Sequence, residues 1–397
     1  MYNLGLTAEQ IEFRDTVRDF VNDEIKPVTL NAQRLDAGDR RLPTEVLRKA
    51  SQIGLRTLAL PEELGGVGAD GLTCCLVVEE LAVGDADISA VLAETCALGR
   101  LLFARMTAEQ RERFKAFLDD DDFHLALACR EPGDDSTLGV NYHRSTPTMV
   151  LATKAARSSD HWIIDGAKDC VANAPVAKLI AVEAQTDQGP ALFLVPPATD
   201  GLTIAEQPEP RWYHGTCGRV SLKGVRVPEQ NRLSGPLDSG WAMPLALARN
   251  LGIGRAATEA ALEYAGLRVQ GGRRLIEHQA IGSKLADCAI RLDLARTAVW
   301  RAAWAADHPE AVADRSLPDL PIAAMARVYV SETIHRVAKD AAECFGAMGV
   351  MRDMPLQKYI HDALICLHSG DGNGDARLRI AEALAGYRRG PSMLAAE

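Results

Sequence analysis

The stretch KLIAVEAQTDQGPALFLV (178–195) contains two runs of apolar residues separated by a Thr-Asp-Gln-Gly-Pro turn. This arrangement predicts two β-strands joined by a short loop. Comparable runs occur on both sides at a spacing of roughly 8–12 residues, which is typical of an all-β module: MVLATK, HWIIDG, GLTIAE and RVSLKGVRVP. The middle of the chain is therefore predicted to form a small antiparallel barrel or sandwich.

Helical patterns flank this β module. Thr7 and Gln10 form a candidate capping box ahead of an apolar helix face that is predicted to end at Pro27. Further helices are predicted over residues 43–55, 73–83, 107–118, 244–270, 277–306, 319–346 and 372–388. We therefore predict an α+β protein with an N-terminal helical domain (1–122), a middle β domain (123–237) and a C-terminal helical bundle (238–397).

Composition and charge narrow the possible classes of protein. The chain has 397 residues, 47% of them hydrophobic, which is enough for two or three domain-sized units. Its net charge of -10 leaves no basic excess for nucleic acid or for an anionic membrane. The polar start predicts no signal peptide, and no apolar run approaches the ~18 residues that a membrane span needs. We expect a cytoplasmic protein that binds neither nucleic acid nor membrane.

The cysteines follow no ligand pattern. Nine of them are scattered along the chain without a Cys-x-x-Cys pair. An odd, unpatterned set is typical of reduced thiols in a protein interior. We therefore expect neither disulfides nor a metal site.

Six blocks in register across residues 7–350 resemble the acyl-CoA dehydrogenase family: LTAEQIEFRDTVRDFVNDEIKP, GLRTLALPEELGGVGADGL, EPGDDS, VRVPEQNRL, RVQGGRRLIEHQAIGSKLAD and ECFGAMGV. The resemblance implies a C-terminal four-helix bundle and FAD held between the subunits of a tetramer. It also implies an acyl-CoA substrate and an electron-transfer flavoprotein or similar acceptor. In that family a glutamate removes the α-proton, and the β-hydrogen leaves as hydride to flavin N5.

The expected glutamate is missing from both places where the family carries it. In the tail YIHDALICLHSGDGNGDARLRIA (359–381), Gly370 stands at the usual position of the base. Other family members place the base on the first helix of the C-terminal bundle. Here no Asp or Glu occurs between Asp238 and Glu259.

Three nearby residues are candidates for a relocated base. Asp371 is the carboxylate nearest to the empty position, although turn formation is an equally ordinary role for it in a GDGNGD loop. His361 and His368 flank the same region, but a lone histidine is more often a structural residue. No catalytic residue is assigned from the sequence alone.

The resemblance divides the FAD site into two halves. On the flavin-ring side Glu131, Pro132 and Ser136 match the family, and Ser136 is a candidate cofactor ligand. Arg130, Cys170 and Ala172 replace a Thr, a Trp and a Thr that lie against the ring. Losing this π surface and two hydroxyls should weaken ring binding.

The adenine and pyrophosphate side, which each chain donates to its neighbour, is better kept. Arg268 and Gln279 match the family's Arg and Gln, and Gly346 and Gly349 match two glycines that allow a close backbone approach. Glu343 replaces a Gln, and its charge would repel a pyrophosphate unless the carboxylate is paired or turned away.

Three hypotheses follow from this asymmetry. The first is a base-less partner subunit of a heteromeric acyl-CoA dehydrogenase, paired with a Glu-containing paralogue. The second is a self-sufficient flavoenzyme of this fold with altered or relocated chemistry. The third is a flavin-free acyl-CoA-binding or scaffold protein.

Overall fold

The computed structural model describes residues 5–31, 35, 41–133, 150–207, 213–233, 240–351, 353–368 and 372–386. Within these ranges, helices come first, an eight-stranded sheet follows, and helices end the chain. The predicted α+β class and the order of its three regions are therefore confirmed.

The helices described before the sheet are α1 (Ala8–Phe20), α2 (Lys26–Thr29), α3 (Thr44–Gln52), α4 (Gly71–Gly84), α5 (Ala86–Phe103), α6 (Ala108–Arg113) and α7 (Ala116–Asp119). The predicted capping box of Thr7 and Gln10 is present at the start of α1. Pro27 does not end this helix as predicted. A π-helical turn over Val21–Ile25 leads into α2, where Pro27 lies in the first turn and no backbone N–H is required of it.

The middle region forms one mixed sheet from β1 (His124–Ala128), β2 (Lys154–Ser158), β3 (His161–Ala172), β4 (Ala177–Thr186), β5 (Gly189–Val195), β6 (Leu202–Glu206), β7 (Cys217–Pro228) and β8 (Arg232–Leu233). The strand order is β6-β7-β3-β2-β4-β5-β8, with β1 pairing with β4. The sheet differs from the expectation in two details. Its described order is open, and β1 and β2 run parallel to β4. Parallel pairing is possible because a long stretch of chain separates β1 from β4.

The C-terminal region begins with α8 (Met243–Leu267) and continues through β9 (Val269–Gln270), β10 (Arg273–Arg274), α9 (Gln279–Asp307), α10 (Glu310–Ala313), α11 (Ile322–Cys344), α12 (Leu356–His368) and α13 (Gly372–Leu384). Helices α8, α9, α11 and α12 pack together, and α13 lies against α11. This packing places the ends of α8 and α11 beside the start of α9.

Two cores join these regions. One combines side chains of the N-terminal and C-terminal helices, such as Val78 and Ile88 with Leu251 and Ile334. A second core lies where one face of the sheet meets α5, and it holds Leu98, Leu102, Leu179, Ala181 and Leu192. Helix α5 is therefore enclosed between the bundle and the sheet. No helix within the described ranges is long and apolar enough to cross a membrane.

Candidate functional site

The structure brings four sequence-predicted residues to one end of the bundle. Tyr264 near the end of α8 stacks on Phe345, which follows α11, with ring centroids 4.3 Å apart. Arg268 directly follows α8, and Gln279 begins α9. Gly346 and Gly349 follow α11. This end is therefore the place to test for a cofactor diphosphate.

The start of α9 fits a diphosphate. His278 is the N-cap residue of this 29-residue helix, and no side chain in the described part of the molecule caps its backbone amides. Exposed Arg268 lies just before a tight hairpin whose Gly271 and Gly272 have φ of 61° and 81°. Amide donors at a helix start are suited to an anionic ligand, and an arginine guanidinium binds phosphate oxygens through charged hydrogen bonds. Arg268 and Gln279 would hold the diphosphate part of the FAD that the resemblance implies.

Glycine is favoured at positions 346 and 349 for different physical reasons. Gly346 has a φ of 56° as the chain leaves α11, and a Cβ there would meet no atom within 4 Å. Its surroundings are open to a ligand. A Cβ on Gly349 would lie 2.8 Å from the Ala342 carbonyl oxygen, so this position must be small for the fold itself.

Glu343 is neutralised by its neighbours. Its carboxylate pairs with Lys284 of α9, and Lys339 lies 3.7 Å away. The Lys284 ammonium holds the pKa of Glu343 below its ordinary value, so the carboxylate is charged and paired at neutral pH. The replacement therefore does not leave an unpaired negative charge at this end of the bundle.

Of the substituted residues that the resemblance assigns to the flavin-ring side, Cys170 and Ala172 lie at the end of β3. Cys170 has a φ of 51°, and its backbone N–H donates to Gln207 Oε1 at 3.1 Å. Ala172 is exposed. The next residue, Asn173, fixes this strand end to α5 because its amide donates to the Val91 carbonyl at 3.1 Å. The backbone frame is thus present, while its side chains offer little to an aromatic ring.

Glu131 makes structural contacts. Its carboxylate accepts the Thr153 N–H at 2.7 Å and pairs with the buried Lys168 at 3.1 Å. Ser136 lies outside the described residues, so its assignment as a cofactor ligand stays a prediction.

The candidate bases fall into two groups. Asp371 lies outside the described residues, as does Gly370, the position at which the resemblance expects the base. The His361 ring packs edge-on against Tyr213 with centroids 5.6 Å apart, and His368 is the exposed last residue of α12. The His361 ring therefore makes a packing contact, and a role for either histidine as the base stays a prediction.

Comparison with known proteins identifies the family. The model for the acyl-CoA dehydrogenase N-terminal domain matches residues 7–117, and the model for the acyl-CoA dehydrogenase C-terminal domain matches residues 243–384. A probable acyl-CoA dehydrogenase of Bacillus subtilis (strain 168) is 31% identical over 402 residues, covering 96% of this chain and 99% of that protein. This chain belongs to the acyl-CoA dehydrogenase family.

Two further similar proteins are named for a particular acyl group. Benzylmalonyl-CoA dehydrogenase of Aromatoleum aromaticum is 31% identical over 395 residues, covering 96% of this chain and 99% of that protein. The crystal structure of glutaryl-CoA dehydrogenase from Mycobacterium smegmatis aligns with a TM-score of 0.84 and 26% identity, covering 96% of this chain and 95% of that one. The family fold therefore spans nearly the whole molecule.

Sequence reasoning missed two carboxylates in this family member. Glu94 lies on α5 and Glu183 on β4, each within an otherwise apolar run. A charged residue within an apolar run is the sequence signal by which each carboxylate could have been found. Glu183 faces the same side of the sheet as its cross-strand partner Leu192, toward α5. It is 2% exposed, and no hydrogen bond reaches its Oε1 from the described residues.

Glu183 should make stability depend on pH. Burial raises its pKa to about 7 from 4.5, although the Lys168 charge lowers it. The folded state then holds a proton that the unfolded state loses, so the free energy of unfolding falls as pH rises from about 5 to above 7. We expect Glu183→Gln to remove this loss, which is worth about 3 kcal/mol. Urea unfolding of both proteins between pH 5 and 8 measures the difference.

The exposed Glu263 provides the control for this measurement. Glu263→Gln should follow the wild-type pH dependence. A constant difference between Glu183→Gln and wild type across the pH range would contradict the prediction.

A buried ion cluster connects all three regions of this family member. His214 Nδ1 lies 2.8 Å from Asp85 Oδ2, and Lys358 Nζ lies 3.3 Å from the same oxygen. Lys358 Nζ also pairs with Asp362 Oδ2 at 2.8 Å, and Asp362 accepts the Tyr213 N–H at 2.8 Å. The side chains of Asp85, His214, Lys358 and Asp362 are each at most 1% exposed.

Asp85, Asp87 and His214 are spaced closely enough to hold a metal ion. The Lys358 ammonium already supplies a positive charge there. Although burial opposes it, Lys358 and His214 hold the pKa of Asp85 low. Burial and the neighbouring Asp85 instead raise the pKa of Asp87. The set is therefore best described as a structural ion cluster.

Proposed function

We propose that this chain is the base-less partner subunit of a heteromeric FAD-dependent acyl-CoA dehydrogenase, which forms an α,β double bond in an acyl-CoA thioester. FAD, when bound, accepts the hydride that leaves the β-carbon. A Glu-containing paralogous subunit supplies the base. An electron-transfer flavoprotein or similar acceptor reoxidises the complex.

The observation that carries this proposal is the contrast between the two halves of the cofactor site. The end of the bundle keeps an exposed Arg268, the amides at the start of α9 and a neutralised Glu343. The strand end at Cys170 and Ala172 offers no large aromatic surface and no hydroxyl. A chain that only lends its diphosphate side to a neighbour needs the first half and not the second.

Exposed apolar residues support the assembly that such sharing requires. Large apolar side chains are exposed along the C-terminal region, most of them on its helices: Leu262, Leu267, Val269, Ile290, Leu294, Met325 and Tyr329. A concentration of this kind is typical of a surface covered by another chain. We propose that these helices form the contacts of a heterotetramer.

The test separates the two halves by substitution. In the purified complex, Arg268→Ala should lower FAD retention by roughly 10- to 100-fold in affinity, because a charged hydrogen bond is worth about 1.5–3 kcal/mol. Cys170→Arg should leave FAD content unchanged. The measurement is the flavin-to-protein ratio after dialysis against defined FAD concentrations.

The control and the alternatives follow from the same measurement. The control is Arg157, an exposed arginine on β2 that pairs with Glu229. Arg157→Ala should retain FAD. Equal loss from Arg268→Ala and Cys170→Arg would favour a self-sufficient flavoenzyme. Absence of flavin from the chain with every candidate partner would favour an acyl-CoA-binding or scaffold protein.

A further inference from the structure

Two cysteines approach one side-chain amide where β3 ends and β7 begins. The Cys170 backbone N–H donates to Gln207 Oε1 at 3.1 Å, and Cys217 Sγ lies 3.9 Å from the same oxygen. The Gln207 backbone N–H in turn donates to the Cys217 carbonyl at 2.8 Å. Gln207 therefore connects the two cysteines directly.

The strand pairing also brings the two cysteines together. Cys217 is the first residue of β7 and lies directly opposite Ala172 of β3, and Cys170 comes two residues before Ala172. A β-bulge interrupts the pairing of β3 with β7 between Lys168 and Val171. Cys170 lies within this bulge and has a φ of 51°. Because a bulge bends its strand and re-aims a side chain, a cysteine here can approach the neighbouring strand.

Further polar contacts hold the bulge in place. Gln207 Nε2 donates to Asp169 Oδ1 at 2.6 Å, and Asp169 Oδ2 pairs with Arg219 of β7 at 3.0 Å. Cys170 contributes its backbone N–H to this network, and its thiol takes no part in these contacts. The backbone at Cys170 is thus fixed by other groups, and a reaction of the thiol would break none of them.

The two thiols differ in their exposure. Of the nine cysteines, all of which the structure describes, seven are buried, and Cys129 and Cys170 are partly exposed. Cys217 is 7% exposed. Burial raises the pKa of the Cys217 thiol to about 12, and the neighbouring Cys170 adds to that rise. Cys217 is therefore a protonated thiol at neutral pH, and a reagent from solution meets Cys170 first.

We propose that Cys170 and Cys217 form a modification site for low-molecular-weight disulfides, and that the modified chain carries a reversible Cys170–Cys217 bond. In the first step the Cys170 sulfur attacks one sulfur of the reagent, and the departing thiol takes the Cys170 proton. In the second step the Cys217 sulfur attacks the Cys170 sulfur, and the second departing thiol takes the Cys217 proton. The two cysteines lose two electrons, and the reagent gains them as two thiols.

The second step can occur although the Cys217 thiol is a weak acid. The mixed disulfide on Cys170 lies beside Cys217, so the attack is intramolecular and benefits from a high effective concentration. The mixed disulfide also removes the Cys170 charge that opposes ionisation of Cys217. The inference is independent of the proposed function, because the reaction requires neither acyl-CoA nor a partner subunit.

The test treats the full-length chain with oxidised glutathione at mildly alkaline pH and follows the mass of the unreduced protein. Wild type should lose two hydrogen atoms and retain no glutathione, and a peptide map should join Cys170 to Cys217. Cys217→Ser should instead keep one glutathione on Cys170, because no thiol is left to displace it. Cys170→Ser should react roughly 100-fold more slowly at this site, since a thiol with a pKa of about 12 exchanges that much more slowly than an ordinary cysteine.

Cys129→Ser is the matched control, because Cys129 is the other partly exposed cysteine. This variant should form the Cys170–Cys217 bond as wild type does. A stable glutathione adduct on Cys170 of the wild-type chain would overturn the proposal. So would a bond between other cysteines, or an unreactive Cys170 in a folded chain that reacts once unfolded in urea. If Cys217→Ser does not fold, the wild-type peptide map and Cys170→Ser still decide the question.

Discussion

The chain purified alone is expected to oxidise acyl-CoA thioesters about 10²–10⁴-fold more slowly than a complex that contains a Glu-bearing paralogue. A general base typically contributes a factor of this size, and the family resemblance places no carboxylate at either position of the base in this sequence. The measurement is the initial rate of reduction of an artificial electron acceptor at saturating acyl-CoA. The same preparation mixed with the partner provides the positive control.

Robust turnover by the chain alone would contradict this prediction. It would mean that another residue removes the α-proton. Asp371→Asn is the first substitution to make, because Asp371 adjoins the position of the missing glutamate. His368→Gln and His361→Gln follow, and an unaffected rate in all three variants would exclude each of these residues as the base.

Lys358→Met is expected to lower the free energy of unfolding by about 3–5 kcal/mol. Removing one partner of a buried ion pair leaves the other charge desolvated and unpaired. Here the carboxylates of Asp85 and Asp362 would both lose the ammonium, and both are fully buried. Urea unfolding at neutral pH measures the loss.

Lys339 is the matched control on a neighbouring helix. It is 60% exposed and lies 3.7 Å from Glu343. Lys339→Met should change the free energy of unfolding by less than about 1 kcal/mol, as exposed ion pairs contribute little. A loss below about 1 kcal/mol for Lys358→Met as well would show that the cluster is solvated or differently paired.

Most helices could be predicted because their apolar residues recur with helical periodicity. Helix α5 was missed because it is buried on nearly all sides, so its apolar residues show no single face. Helix α12 was missed although its apolar positions are periodic. The parallel pairing of β1 with β4 also could not be predicted, since pairing between distant strands leaves no local pattern.

The placement of Arg268 and Gln279 at one end of the bundle could be anticipated from the sequence, and their role toward a cofactor stays a prediction. Arg268 and Gln279 frame a glycine turn that has the same spacing in the family resemblance. The buried cluster could not, because His214 and Asp85 are separated by 129 residues and become neighbours only in the fold.

The separation of the cofactor site into two packing units has an evolutionary consequence. The strand end at Cys170 is fixed through Asn173 to α5, whereas the bundle end is fixed through the Tyr264–Phe345 stack. These two anchors share no side chain, and substitutions at sites without shared partners add nearly independently. After gene duplication, substitutions could therefore accumulate in a chain's own ring pocket. Selection for flavin binding by the neighbouring chain would preserve the residues at the bundle end.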